Sequence, residues 1–345
     1  MRTPSRLLAA AASIAVALSL AACGGSSEEE PAATSSGPAT AQFPVTITHA
    51  FGTTTIDKKP ERVASVAWAN HEVALALGVV PVGFAKAAWG DDDGDGVLPW
   101  VETKLTELGA STPVLFDEAD SIDFEAVADT NPDVILAAYS GLTKEDYDKL
   151  TQIAPTVAYP KLAWGTTLAD MIKLNSQALG LATQGDALIA SLKKQTADAY
   201  AKYPKLAGKK VMFSYLDPKD FSQVGFYTLH DPRAGFLADT GFGTPAAIAK
   251  KSAESSTFWE TISAEQADQF ADVDIIITYD DAKGSILAAA QKDALMSKIP
   301  AIARGSVAGM QDSTPLAASA NPSPLSIGWG IDQYFAALSA AADKI

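Results

Sequence analysis

Two runs in this chain, "DVILAAY" (133–139) and "DVDIIITY" (272–279), each follow a short helical pattern and are apolar almost from end to end. A strand that is apolar on both faces needs a covering layer on each side. A parallel sheet flanked by crossover helices supplies that arrangement. The surrounding sequence repeats the pattern: "RVASVAW" (62–68), "VVPVGFA" (79–85), "TVAY" (156–159) and "KVMFSYL" (210–216) read as strands. Helices are predicted at "NHEVALALG" (70–78, closed by Gly78), "SIDFEAVADTNP" (121–132, capped by Ser121 or Asp123), "TKEDYDKLTQI" (143–153) and "AEQADQFA" (264–271). A terminal helix is predicted over 323–343, with Ser323 as cap and Pro324 at its first position. "VTITHAFGTTTID" (45–57) alternates around a glycine, as a hairpin does. The expected fold class is α/β, with two Rossmann-like lobes built on mainly parallel sheets.

Two helical stretches lie between the halves, over 166–180 and 185–204. The second is expected to start at an Asp186 cap and stop before Pro204. Its roughly 17 residues would span about 25 Å. A helix in place of a Gly/Pro linker implies limited hinge motion. The expected division is an N-terminal lobe over 43–165, an inter-lobe helical region over 166–204 with its bridging helix at 186–203, and a C-terminal lobe over 205–345.

Upstream, Arg2 and Arg6 precede the apolar run "LLAAAASIAVALSLAA" (7–22). At roughly 16 residues the run is shorter than the ~20 of a membrane-spanning helix, and it ends in small residues as a secretory signal does. Leu20-Ala21-Ala22-Cys23 resembles a bacterial lipobox, which implies cleavage before Cys23 and acylation of that residue. Cys23 is the only cysteine, so no intrachain disulfide can form. Residues 24–42 are rich in Gly, Ser, Pro, Ala and Glu, the composition of a disordered tether. The expectation is a signal peptide over 1–22, a lipid-bearing tether over 23–42, and a body held on the extracytoplasmic face of the cell membrane.

The formal net charge is −15. Such a surface repels nucleic acid and anionic lipid headgroups and disfavours a strongly anionic ligand. No G-x-S-x-G, H-E-x-x-H or G-x-x-x-x-G-K-[ST] occurs. "GFGTPA" (241–246) lacks the third glycine of a dinucleotide loop. No catalytic set emerges and no cofactor is expected, although a doubly wound fold can host an extracytoplasmic hydrolase. The three histidines, His49, His71 and His230, fall in separate segments, with His71 expected on a helix surface. They make a poor free-metal site.

The halves share a further detail. "SIDFEAVADTNPDVIL" and "TISAEQADQFADVDIII" each place a glutamate, Glu125 or Glu265, in the first turn of a helix leading into a buried strand. The helix dipole alone would favour both. The lipobox, the two α/β lobes and the helical bridge, with "PERVASVAWANHEVALALGVVPVG" (60–83), "IDFEAVADTNPDVILAAY" (122–139) and "FWETISAEQ" (258–266), resemble the ABC-transporter solute-binding proteins for iron–siderophores and vitamin B12. The resemblance covers essentially the whole mature chain. It implies a monomer with a ligand cleft between the lobes. It also implies that Glu125 and Glu265 dock onto arginines of two permease subunits, since carboxylate–arginine pairs are directional.

Ligands of such folds bind outside the carboxyl ends of the strands. Aromatic residues gather there: Trp68, Trp89, Tyr139, Trp164, Tyr215, Tyr227 and Tyr279. The resemblance adds Trp259, at a position that lines the pocket in B12-binding relatives. Cations are few: Lys86, Arg233 and, further off, Arg304. An aromatic-rich, cation-poor cleft suits a neutral or weakly charged ferric siderophore of hydroxamate or mixed type, with Arg233 at its iron-binding oxygens or held in a structural ion pair. Vitamin B12 and haem suit the same cleft.

"DDDGDGVLPWVE" (91–102) matches D-x-D-x-D-G-x₅-E through Asp91, Asp93, Asp95, Gly96 and Glu102, the calcium-loop pattern. A strand in place of an entering helix, and Pro99 at the ninth position, argue for a solvated acidic loop. Structural calcium is the alternative.

Overall fold

The computed structural model describes residues 42–345. The leader, Cys23 and the tether up to residue 41 lie outside the described residues. Strands β1 (Val45–His49) and β2 (Gly52–Ile56) form the expected antiparallel hairpin, with Val45 opposite Ile56 and His49 opposite Gly52.

The N-terminal sheet contains β3 (Val63–Ser65), β4 (Gly83–Ala85), β5 (Val114–Phe116), β6 (Val134–Leu136) and β7 (Thr156–Val157). Their order is β5-β4-β3-β6-β7 and every pairing is parallel. β3 and β6 are buried on both faces, which is what their apolar runs require. The chain winds one way from β3 and the other way from β6, so a crevice opens at their carboxyl ends. The strands are shorter than the apolar runs. Past β3 the chain leaves the sheet through Ala67 and Ala69, both left-handed at φ 58° and 60°.

The C-terminal sheet contains β8 (Val211–Tyr215), β9 (Gln223–Tyr227), β10 (Trp259–Ser263), β11 (Ile275–Asp280) and β12 (Val307–Gln311), in the order β10-β9-β8-β11-β12. β8, β11 and β12 are parallel, whereas β9 and β10 run antiparallel at one edge. The mixed edge reflects "QVGFY" and "WETIS", where polar residues interrupt the apolar pattern of a central strand.

Three helical expectations need correction. The bridging helix spans Ala182–Ala201, 20 residues, and Asp186 is not its cap. It starts after Leu181 with no side-chain cap, and Gly185 in its first turn packs closely on helix Leu168–Ala178. A Cβ at Gly185 would lie 2.1 Å from Ser176 Oγ. The 264–271 segment is a 3₁₀ stretch, Ala264–Phe270, kinked at Gln266. The terminal helix spans Ser326–Ala342 with Leu325 at its N-cap and no side-chain cap, so neither Ser323 nor Pro324 takes its expected position; the Ser323 hydroxyl accepts from Ser326 N at 3.1 Å in the turn that leads into the helix.

The terminal helix ties the body together. Tyr334, Phe335 and Leu338 join Phe213 and Ile277 in the C-terminal core. Leu325 and Trp329, at its start, pack on the N-terminal cluster of Leu75, Phe84 and Trp100. Each large side chain fully buried in this way contributes roughly 1.5–3 kcal/mol. No helix among the described residues is long and apolar enough to cross a membrane.

Candidate ligand cleft

The carboxyl ends of the N-terminal strands supply one wall. A pocket of about 260 Å³ is lined by Trp68 beyond β3, Lys86 and Trp89 beyond β4, Glu118 beyond β5, and Trp164. Asn70, fully buried, locks this end. Its amide donates to the carbonyls of Val66 (3.0 Å) and Tyr139 (2.8 Å), and its Oδ1 accepts from Tyr139 N (2.9 Å). The same amide reaches the Trp68 carbonyl at 3.3 Å, so Asn70 ties the backbones of Trp68 and Tyr139 to one another. Trp164, itself left-handed at φ 58°, lies against Gly141, where a Cβ would come within 2.2 Å of its indole nitrogen. It packs edge-on to Tyr139 at 5.4 Å.

The opposite wall centres on Arg233. Its guanidinium makes a bidentate pair with the buried Asp231, at 2.8 and 2.7 Å, and stacks over Tyr227 at 3.7 Å from the ring centroid. Burial works against the Arg233 charge, but the Asp231 carboxylate more than restores it and holds the pKa above its ordinary value. Burial pushes the Tyr227 hydroxyl up to about 12. Trp259 pairs with Tyr227 at 4.9 Å and covers Gly225, where a Cβ would lie 2.1 Å from the indole.

An aromatic run joins the walls. Trp68 meets Trp89 (6.2 Å), Trp89 meets Tyr279 (5.2 Å), Tyr279 meets Phe213 (5.7 Å), and Phe213 meets Tyr227 (5.4 Å). Trp89 also donates across the lobes to Asp312 Oδ1 at 3.0 Å. Nine of the ten expected cleft residues fall along these two walls, Lys86 among them with its stem against Gly96. Tyr215, the tenth, ends β8 opposite Gly225 and is 47% exposed.

Other expected residues have different places. Arg304 donates to the carbonyls of Val273 and Asp274, at the amino end of β11, and is structural. His71 is buried and stacked on Phe84 at 4.3 Å, not on a helix surface, and burial pushes its pKa down to about 3. His49 binds Thr54 in the hairpin region, and His230 Nε2 lies within hydrogen-bond distance of the Ser252 and Ser255 carbonyls. Glu125 and Glu265 are exposed, each in the first turn of its own helical segment. Neither caps its segment: Asp123 and Ser263 do, through their side chains. In the 91–102 loop, carboxylate oxygens of Asp91, Asp93 and Asp95 lie within 4.8 Å of one another. They already accept the loop's own amides, Asp91 from residues 93, 94 and 96. Glu102 is exposed, and slight desolvation with the neighbouring Asp95, Asp93 and Asp92 carboxylates raises its pKa.

Sequence reading missed Asn70, Asp231 and Glu118. For Asp231 a signal existed: "HDPRAGF" carries an N-cap aspartate followed by proline at the first helical position, which also fixes Arg233.

The periplasmic binding protein family matches residues 63–314. The probable siderophore-binding lipoprotein YfiY of Bacillus subtilis is 30% identical over 240 residues, 68% of this chain and 69% of that protein. Among solved structures, PiaA of Streptococcus pneumoniae TIGR4 in complex with ferrichrome is 48% identical and superposes with a TM-score of 0.83, covering 87% of this chain and 99% of that one. SirA of Staphylococcus aureus complexed with staphyloferrin B, at 22% identity and a TM-score of 0.64 over 85% of this chain and 98% of that one, shares the fold.

Proposed function

Because the chain belongs to the periplasmic binding protein family, we propose that it is an extracytoplasmic solute-binding protein that captures a ferric siderophore between its lobes and delivers it to an ABC permease. Members of this family are substrate-binding transport proteins. PiaA, which takes ferrichrome, and the siderophore-binding YfiY support the ligand class. Cys23 would carry the lipid anchor, as the lipoprotein name of YfiY suggests. Glu125 and Glu265 would meet one permease subunit each, and the carrier would act as a monomer.

The observation that carries the ligand preference is the charge state of the cleft. Arg233, half-buried on one wall, is neutralised by the buried Asp231, and Lys86 is exposed. Little positive charge is left to offset a trianionic complex. Aromatic faces, which bind a neutral chelate by area and stacking, dominate instead. Ferric hydroxamates are therefore expected to bind at least about tenfold more tightly than ferric tricatecholates. Intrinsic tryptophan fluorescence reads this, since Trp68, Trp89 and Trp164 line the pocket. Saturable quenching without turnover supports a carrier, whereas product formation would mean an enzyme. Tighter binding of an enterobactin-type complex would overturn the ligand preference.

We read the 91–102 loop as a solvated acidic loop whose carboxylates serve its own turns. Millimolar calcium is expected to leave the melting temperature unchanged against chelator. A rise that disappears in Asp93→Ala with Asp95→Ala would instead establish a calcium site.

A further inference from the structure

We propose that Glu118, with the indoles of Trp68, Trp89 and Trp164, forms a subsite for a protonated amine carried by the siderophore, an inference that rests on the siderophore reading above. Glu118 follows β5, at the carboxyl end of the N-terminal sheet. One of its oxygens, Oε2, accepts from Ala67 N at 2.9 Å. The other, Oε1, is buried and takes no hydrogen bond. Two more buried polar atoms without partners belong to the same pocket, Trp68 Nε1 and His71 Nδ1. Three such atoms around one pocket of about 260 Å³ are a set of hydrogen-bonding groups left for a ligand.

The kind of ligand group follows from what surrounds the carboxylate. Among the described residues Glu118 makes no ion pair, and Lys86, on the same pocket, makes none either. Burial pushes Glu118 up to about 7, with the Ala67 amide working the other way. A buried carboxylate without a cation is costly unless something in the functional state relieves it. A ligand ammonium does so, and ring faces beside the carboxylate add to the attraction. A neutral cyclic trihydroxamate offers no such group, whereas a linear trihydroxamate ending in a primary amine does. The Trp68 N–H would meanwhile donate to a carbonyl or hydroxamate oxygen of the same ligand.

Three ferric complexes test this by calorimetric titration of the full chain: ferrioxamine B, with its free primary amine; N-acetyl ferrioxamine B, which removes that charge; and ferrichrome. The free amine is expected to bind about tenfold more tightly than the acetylated form above the Glu118 titration, and the ratio should shrink as pH falls through about 7, where Glu118 takes up a proton. The other titratable groups on the pocket are His71, uncharged over that range, and Lys86; Asp117 and Asp120 flank Glu118 in sequence. Glu118→Gln, which keeps an acceptor for Ala67 N, should abolish both the ratio and its pH dependence, with an unchanged melting temperature showing that it folds. A ratio near one in the wild type, or a ratio retained in Glu118→Gln, would overturn the subsite while leaving the siderophore reading intact. Failure of all three complexes to bind would overturn that reading and the subsite with it.

Discussion

With Glu125 and Glu265 both reversed to arginine, permease-dependent uptake is expected to fall by about two orders of magnitude or more while ligand affinity stays at the wild-type level. Both carboxylates are exposed, and neither belongs to an ion pair among the described residues. Their helical segments are capped by Asp123 and Ser263, so local structure does not depend on them. If each glutamate meets a permease arginine, as the family resemblance implies, reversal would set arginine against arginine, and like charges brought together at an interface cost several kcal/mol. About 2.8 kcal/mol is already a hundredfold. Each single reversal should give a partial loss, because the other lobe still docks. Transport assays in reconstituted vesicles and parallel ligand titrations separate the two effects. Normal uptake by the double variant would remove these residues from the docking surface; a parallel loss of ligand affinity would mean they act on the cleft.

Glu72→Ala is expected to cost of order 3 kcal/mol at about pH 5, and distinctly less at about pH 8. Glu72 lies in the N-terminal lobe, fully buried, and reaches the start of the terminal helix. It accepts from Trp100 Nε1 at 2.8 Å, from Leu325 N at 3.0 Å and from the Ser323 hydroxyl. Removing it leaves those donors without a partner between the lobes. Burial, opposed by those same donors, pushes Glu72 from the ordinary 4.5 up to about 7. Between those values the folded chain keeps a proton that the unfolded chain has lost, so wild-type stability falls as pH rises through this window and levels off above it. At about 1.4 kcal/mol per unit, that slope amounts to roughly 3 kcal/mol. The alanine variant lacks it. Urea unfolding at both pH values measures the difference, and an identical loss at each would show that Glu72 stays ionised throughout.

What the sequence disclosed and what it hid have physical causes. The hairpin and the parallel N-terminal sheet were legible because each carries a local signal, alternation or a continuous apolar run. β5 has only three residues, with Val114 50% exposed, so no run marks it; Glu118, at its carboxyl end, went unseen with it. The bridging helix began earlier than its apparent cap, with Leu181 at its N-cap and no capping side chain to mark the start in the sequence. His71 read as a surface residue because it stands beside a glutamate, yet both are buried, Glu72 for the terminal helix and His71 for the stack on Phe84. The aromatic set was legible as a group, since strand ends converge in any parallel sheet. The Asp231–Arg233 pair that sets the charge of the cleft was legible only as a local N-cap motif.

The most direct measurement is a calorimetric titration of the full chain with ferrichrome, alongside Trp68→Ala and iron-free ferrichrome. The account predicts a saturable one-to-one isotherm, a loss of about tenfold or more in Trp68→Ala while it still unfolds cooperatively, and much weaker binding of the iron-free ligand. No saturable binding of ferrichrome or of any other ferric hydroxamate, or an affinity untouched by Trp68→Ala, would contradict a siderophore cleft built on these strand ends.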